Sequence, residues 1–277
     1  MSVQASEAVE VARDYYNSDD ADHFYHEIWG GEDIHIGLYD DQVESIAEAS
    51  ERTVAAMVEQ LTSLGEQVRV ADFGAGYGGS ARWLARHFGC HVSCVNLSEV
   101  QNVRNRELTE AAGLTSLIDV FDASFEQAPL EDETFDIVWS QDSILHAGDR
   151  ARVMDEVDRI LKPSGEFIFT DPMQADDCPA GVLQPVLDRL HLQSLGSIGF
   201  YRSQAERLGW TEVRVDDLTH QLVNHYTQVR QQLIERKSTL ASSISAAYAD
   251  RMIQGLTNWI EAGAKGYLAW GILHFRK

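Results

Sequence analysis

"VADFGAGYGGSARWLA", residues 70–85, decides how this chain is read. An apolar run ends at a glycine-rich loop, and a helical repeat begins directly after it. That order is a strand, a turn and a helix, with a backbone free to approach a ligand closely. The glycines match the G-x-G-x-x-G pattern of dinucleotide sites, in which a pyrophosphate sits at the helix N-terminus. Asp72 lies two residues before the first glycine, and it would face that anion in a partly buried place, an unfavourable contact. A ligand with an ammonium and a sulfonium, and no phosphate, reverses the sign. Asp72 therefore points to S-adenosylmethionine, with Gly74 and Gly76 as its backbone neighbours. The late position of the loop, after more than sixty residues, agrees.

Strand and helix signals alternate outward from this loop. "VRVADF" (68–73), "CHVSCVNL" (90–97), "LIDVFDA" (117–123), "FDIVWSQD" (135–142), "GEFIFTD" (165–171) and "TEVRVDDL" (211–218) read as strands. Helical spacing fills "SARWLARHF" (80–88), "EVQNVRNRELTEAAG" (99–113), "RARVMDEVDRIL" (150–161) and "SQAERLG" (203–209), and "KPSG" reads as a turn. Such alternation predicts an α/β fold, a mostly parallel sheet with helices on both faces. Residues 1–64 read as a helical cap, interrupted by the glycines of "IWGGEDIHIGLY". Residues 65–218 read as the ligand-binding core. Residues 219–277 read as a helical insertion followed by a final strand in "GYLAWGILHFRK". The additions are expected to cover the crevice at the carboxyl ends of the strands.

Composition narrows the partners. With 44% hydrophobic residues the chain can bury a sizeable core, but 22 basic against 44 acidic residues give a net charge of −22. That balance argues against nucleic acid and anionic membrane, whose binding rests on Lys and Arg. The acids are spread through helical stretches, as in a surface suited to a salty cytoplasm, where screening suppresses self-repulsion. Three cysteines without C-x-x-C spacing make no disulfide framework. No signal peptide and no run of about 18 apolar residues is visible, so a soluble cytoplasmic protein is expected. None of the ten histidines stands in an H-x-x-x-H or H-E-x-x-H pair, and no metal is expected. A monomer or small homo-oligomer acting on a small molecule follows.

The other strand ends support a methyl donor. Asn96 ends the second strand, where an acidic residue usually takes ribose hydroxyls; its amide can still accept and donate. Leu97 and Gln101 follow it. Asp122 ends the third strand, placed to accept from an adenine amino group while the backbone at Ala123 reaches a ring nitrogen. The alternative for Asp122 is a turn or helix cap. Gln141 and Asp142 end the fourth strand.

Residues 66–216 resemble the class I S-adenosylmethionine-dependent methyltransferases, through "DFGAGYGG", "VNLSEVQ", "FDASFEQAP" and "FDIVWSQDSILH". More narrowly, "YYNSDDADHFYHEIWGGEDIHIGLY" (15–39), "VNLSEVQNVRN", "SLGSIGFYRSQAERLGW" (194–210) and "AWGILHF" resemble the sarcosine/dimethylglycine N-methyltransferases of glycine betaine synthesis. That resemblance implies a Rossmann-like class I fold with a seven-stranded sheet, and betaine as a product. A more distant likeness is to the phosphoethanolamine methyltransferases. It implies a catalytic pair at Tyr16 and His146, and an acidic residue near the methionine amine at Asp142. Gln141 stands where that pattern has an arginine. His191 and Gln193 stand where it has phosphate binders, so a phosphorylated substrate is not expected.

The chemistry assigns roles to residues. Methyl transfer to an amine is an in-line displacement that needs a free lone pair on nitrogen. Amines are mostly protonated at neutral pH, so a histidine near the nitrogen is a natural acceptor. His146 is read as proton acceptor or orienting group with Tyr16 as its partner; the alternative is a structural histidine. Asp142 and His146, four apart, would share a helical face. A developing quaternary ammonium suits aromatic faces, for which Tyr16, Tyr39 and Tyr201 are candidates, with Tyr25 and Trp29 read as core packing. For the carboxylate Arg202 comes first, then Lys265 and Arg189. His35 and Gly37, in "EDIHIGLY", are expected beside the methionine part of the donor. Another small-molecule methyltransferase and a nicotinamide-dependent oxidoreductase remain as rival readings.

Overall fold

The computed structural model describes residues 7–29, 32–40 and 44–277. Gly30 and Gly31 of the expected interruption, and residues 1–6 and 41–43 of the expected cap, lie outside them. The chain opens with α1 (Glu7–Tyr16), α2 (Asp19–Ile28) and α3 (Ile46–Val58). Then follow β1 (Arg69–Phe73), α4 (Gly79–Phe88), β2 (His91–Asn96), α5 (Glu99–Ala111), β3 (Ile118–Asp122), β4 (Phe135–Gln141), α6 (Arg150–Ile160) and β5 (Leu161–Thr170). The remainder is β6 (Met173–Gln174), α7 (Gln184–Leu187), α8 (Ile198–Leu208), β7 (Thr211–Asp217), α9 (Thr219–Arg236), α10 (Ala246–Ala264), β8 (Leu268–Ala269) and β9 (Gly271–Arg276).

A seven-stranded sheet runs in the order β3-β2-β1-β4-β5-β9-β7 among the described residues, and β6 pairs with β8 beside it. β1 to β5 are parallel, whereas β9 is antiparallel to both of its neighbours. Strand order reverses between β2–β1 and β1–β4, which opens a crevice at the carboxyl end of β1. The strands are apolar on both sides, and their two-residue period sorts them into separate cores. Val70, Ile137, Trp139 and Ile168 pack with Met57 and Leu84 of α3 and α4. Their neighbours Ala71, Val138, Phe167 and Phe169 pack with Val157 of α6 and Tyr201 of α8. A one-residue slip would exchange the two sets, so burial on both faces fixes the register.

The turn read at "KPSG" is drawn into β5. Phe135 pairs with Leu161 and Ile137 with Glu166, so Lys162–Gly165 form a bulge.

The cap is a third core. Phe24, Tyr25 and Trp29 of the α2 region meet Tyr226 of α9, Leu256 and Trp259 of α10, and Trp270. A capping box, Ser45 with Glu48, starts α3. Just before it, the segment around Gly37 lies directly on that helix. Gly37 was expected beside the cofactor, but its place is in this packing. A Cβ there would lie 2.6 Å from the Ala49 Cβ, and its N–H donates to His225 Nδ1 at 3.1 Å. No described helix is long and apolar enough to cross a membrane.

Replacing Gly37 by alanine forces that segment off α3 and is expected to lower stability by about 1–3 kcal/mol, the usual scale for overpacking. Thermal unfolding should shift down by several degrees; an unshifted midpoint would contradict the close contact.

Candidate active site

The β1–α4 turn forms the floor of a pocket at the crevice. Gly74 and Gly76 adopt φ of 77° and 53°, values that suit glycine, and both line the pocket. Asn96, Leu97 and Gln101 form the wall beyond β2, with Gln141 and Asp142 opposite. The Asn96 amide donates to Gln101 Oε1 at 3.1 Å and to Asn102 Oδ1 at 3.2 Å, which leaves its carbonyl to face the pocket. Gln141 Oε1 accepts from Ser80 and Trp139, and its Nε2 is buried without a partner. Phe125, stacked on Phe73 at 6.0 Å, completes the apolar side. The apolar position after "FDAS" was the signal that could have identified it.

Asp72 ends β1 in a recess with Asp33, His35 and Gln141. It is 3% exposed. Burial drives its carboxyl up to about 7; His35 lowers it and Asp33 raises it. A buried carboxylate with no hydrogen-bond donor from the described chain is suited to an arriving ammonium. Together with the orphaned Gln141 amide and the bare glycine turn, this donor set fits S-adenosylmethionine. His35 is held by Asp33 at 3.4 Å and by the Ile36 carbonyl at 3.3 Å. Burial lowers its proton affinity, but Asp33 and Asp142 outweigh that and the net shift is upward.

Asp142 is a brace. Its φ is 51°, and its two oxygens accept from the Ile36 N–H at 2.6 Å and the Trp270 indole N–H at 2.7 Å. Asp142 and His146 do not share a helical face: a short turn, Ile144–His146, separates them, yet both line the pocket. Asp171 Oδ1 holds that turn through the Leu145 N–H at 2.9 Å. On the turn, His146 Nε2 meets the Tyr16 hydroxyl at 2.9 Å, with the rings edge to face at 5.2 Å. Burial, then the charges of Arg150 and Arg189, push His146 down to about 3. Burial raises the Tyr16 phenol well above its ordinary value. The pair is therefore uncharged at neutral pH.

Six expected positions are displaced from these roles. Gly37 packs on α3, as described above. Asp122 is 45% exposed, and its oxygens accept from Asn102 at 2.8 Å and from Arg106 at 2.6 Å. It is not among the residues that line the donor pocket. The Ala123 N–H donates to the Asn96 carbonyl at 3.2 Å and is unavailable to a ring nitrogen. Tyr39 is buried against α9 with its hydroxyl on His225 Nδ1 at 3.0 Å. Tyr201 is fully buried under β5 and donates to Asp171 at 2.6 Å, so it supports the His146 turn from behind. Arg202 is 51% exposed and paired with Glu212 at 2.7 Å, on the outside of the sheet edge. Each was placed by its residue type in a motif, and its partner comes from a distant element that local sequence does not indicate.

Tyr25 and Trp29, read as core packing, stand in one aromatic cluster with Tyr16 and Tyr226. His225 was missed. Its Nδ1 accepts from the Gly37 N–H, so its proton is on Nε2, which is buried without a partner.

Comparison with known proteins follows the same lines. Residues 71–169 match the methyltransferase domain family. A sarcosine/dimethylglycine N-methyltransferase of Halorhodospira halochloris is 55% identical over 98% of this chain and 97% of that one. One of Aphanothece halophytica is 54% identical over 99% of each. A crystal structure from Galdieria sulphuraria, provisionally named a sarcosine dimethylglycine methyltransferase, superposes with a TM-score of 0.90 at 44% identity, over 95% of this chain and 98% of that one. A phosphoethanolamine N-methyltransferase of Haemonchus contortus, solved with S-adenosyl-L-methionine, shares the fold at 19% identity with a TM-score of 0.82, over 100% of this chain and 60% of that one.

The raised Asp72 carboxyl gives cofactor binding a pH dependence. An ammonium pairs only with the ionised form, so below a pKa of about 7 binding must first release a proton. S-adenosylhomocysteine should bind about tenfold more weakly at pH 6 than at pH 8. In the free protein the same raised carboxyl lowers stability as pH rises towards about 7. Calorimetric titration at both pH values tests this, and Asp72→Asn should abolish the difference. Equal affinities in the unaltered protein would remove Asp72 from the ammonium.

Proposed function

The chain belongs to the sarcosine/dimethylglycine N-methyltransferases, and we propose that it methylates sarcosine and dimethylglycine on the Tyr16–His146 side of the pocket, ending at glycine betaine. S-adenosylmethionine is the cofactor and, when bound, supplies an electrophilic methyl on sulfur. Asp72, Asn96, Gln101 and Gln141 are the polar side chains placed to hold it, between the glycine turn and Leu97.

One observation carries the amine assignment: a partly buried Tyr16–His146 pair at 2.9 Å, joined across 130 residues, on the wall of the donor pocket. A histidine depressed to about 3 is a poor acceptor for a proton from an ammonium. Its role is better read as orientation of an amine that is bound already neutral. Burial, the main cause of that depression, acts in the same direction on an amine beside it and so favours the free lone pair. Tyr16, which lines the pocket, offers an aromatic ring to the charge that develops on nitrogen. Asn17 accepts from Ser98 Oγ at 2.7 Å and donates to Glu99 at 2.9 Å, which ties the end of α1 to the start of α5 beside the donor pocket. The acidic composition accords with a cytoplasmic role in osmolyte synthesis under high salt.

Labelled methyl transfer in concentrated potassium chloride tests the reading, with glycine, sarcosine, dimethylglycine and phosphoethanolamine offered separately. Betaine formed from dimethylglycine is the expected product; transfer to phosphoethanolamine instead would overturn the substrate assignment. His146→Ala should lower turnover by about 100-fold with S-adenosylhomocysteine affinity unchanged. His146→Asn can hold the Tyr16 hydroxyl but cannot take a proton, and should keep turnover within about tenfold of the unaltered enzyme. Loss equal to that of the alanine variant would favour proton acceptance over orientation.

A further inference from the structure

Arg189 is a buried cation with no acidic partner among the described residues. It lies on the turn Asp188–Leu190 after α7 and is 8% exposed. Its Nε and Nη1 are buried without hydrogen-bond partners. The chain has 44 acidic residues against 22 basic ones, and Arg52, Arg82, Arg159 and Arg276 all take carboxylates. Leaving a charge buried and unpaired is strongly unfavourable. Asp20 and Asp188 line the same groove, but they bond to Ser245 and to Gln184 and make no ion pair with Arg189, which leaves the guanidinium for an anion that arrives from outside.

The surroundings hold the group in place. α10 has a notch at Gly255, where a Cβ would lie 2.7 Å from Arg189 Cδ, so the stem passes directly against that helix. The guanidinium stands 5.3 Å over the Tyr226 ring. Tyr226 packs in turn on Trp29 and on His225, whose Nε2–H is also unpartnered. The charge of Arg189 reaches Tyr16, Tyr25 and His146.

Two openings meet at adjacent residues. Tyr16 lines the donor pocket, whereas Tyr15 lines a groove of about 880 Å³ together with Arg189, Tyr248 and Met252. The Tyr15 and Tyr16 rings are 5.0 Å apart, edge to face, so the two spaces adjoin at these residues. We propose that Arg189 binds the substrate carboxylate and that the groove between α7 and α10 is the port by which the amino acid enters, its nitrogen directed to Tyr16 and His146. This inference rests on the reading of the enzyme as an N-methyltransferase of amino acids. In the free amino acid the carboxylate is one carbon from the amine, and Arg189 thus selects small N-methyl amino acids over amines that lack the acid group.

The test compares the unaltered enzyme with Arg189→Leu and Arg189→Lys. For Arg189→Leu, KM for dimethylglycine and the inhibition constant of glycine betaine should rise together by about 100-fold. The inhibition constant of S-adenosylhomocysteine and kcat should stay within about threefold. Arg189→Lys keeps the charge but not the fork, and should raise KM by about tenfold; it carries the test alone if the leucine variant does not fold. Unchanged KM in either folded variant, or a fall in kcat with KM unmoved, overturns the proposal. If the unaltered enzyme methylates no amino acid, the functional reading fails and this inference fails with it. If it does and the variants bind dimethylglycine normally, only the inference fails.

Discussion

The carboxylate of Asp142 pins two distant parts of the chain to one point. One oxygen holds the Ile36 N–H and the other the Trp270 indole, at 2.6 and 2.7 Å, so the N-terminal cap and the last segment converge at the end of β4. Hydrogen bonds to an ionised acceptor are the stronger kind, and here burial limits competition from water. Ile36 sets where His35 and Gly37 lie, and through Gly37 it sets the placement on α3 and on His225. Trp270 joins the cap core with Trp29 and Trp259. The left-handed backbone at Asp142 is the strain this arrangement tolerates.

The ionisable groups of the site are buried, and they register that in opposite ways. Asp72 is driven up and His146 down, each chiefly by burial, because low dielectric disfavours whichever form is charged. The arrangement presents a cation-seeking carboxyl at the methionine end and neutral hydrogen-bonding groups at the amine end. A second layer keeps this geometry. Tyr201 holds Asp171, Asp171 holds the Leu145 N–H, and that turn carries His146 to Tyr16. Tyr201 thus belongs to the site at one remove, which a search for exposed aromatic faces does not find.

What was legible in the sequence were features with a local cause. The glycine turn, the polar residues at strand ends and the two-residue alternation each follow from backbone geometry within a few positions. Asn96 and Gln141 fell at the pocket because a parallel strand delivers its last residue there, and Leu97 and Gln101 because they follow β2 into the start of α5. Where residue type alone suggested a role, the partner in space lies elsewhere at several positions, although the Tyr16–His146 pair that the family resemblance implied is brought together. Arg202 sits in a motif beside the substrate segment, but Glu212 from the neighbouring strand takes its charge. Tyr39 lies in the cap, but α9 turns it towards His225 and away from the donor.

The sequence by itself determined the doubly wound core, the position of the donor pocket and the preference for a cationic ligand. These follow from hydrophobic period, glycine spacing and the charge of Asp72, all short-range quantities. Tertiary structure decided how the substrate side is assembled from its candidates. Tyr16 comes from α1, His146 from the turn after β4, Arg189 from the turn after α7 and His225 from α9, and no spacing relates them. Their meeting is set by how the cap core packs over the sheet. The same packing decides which arginine is neutralised at the surface and which is buried without a partner, since a charge finds its partner through space and not along the chain.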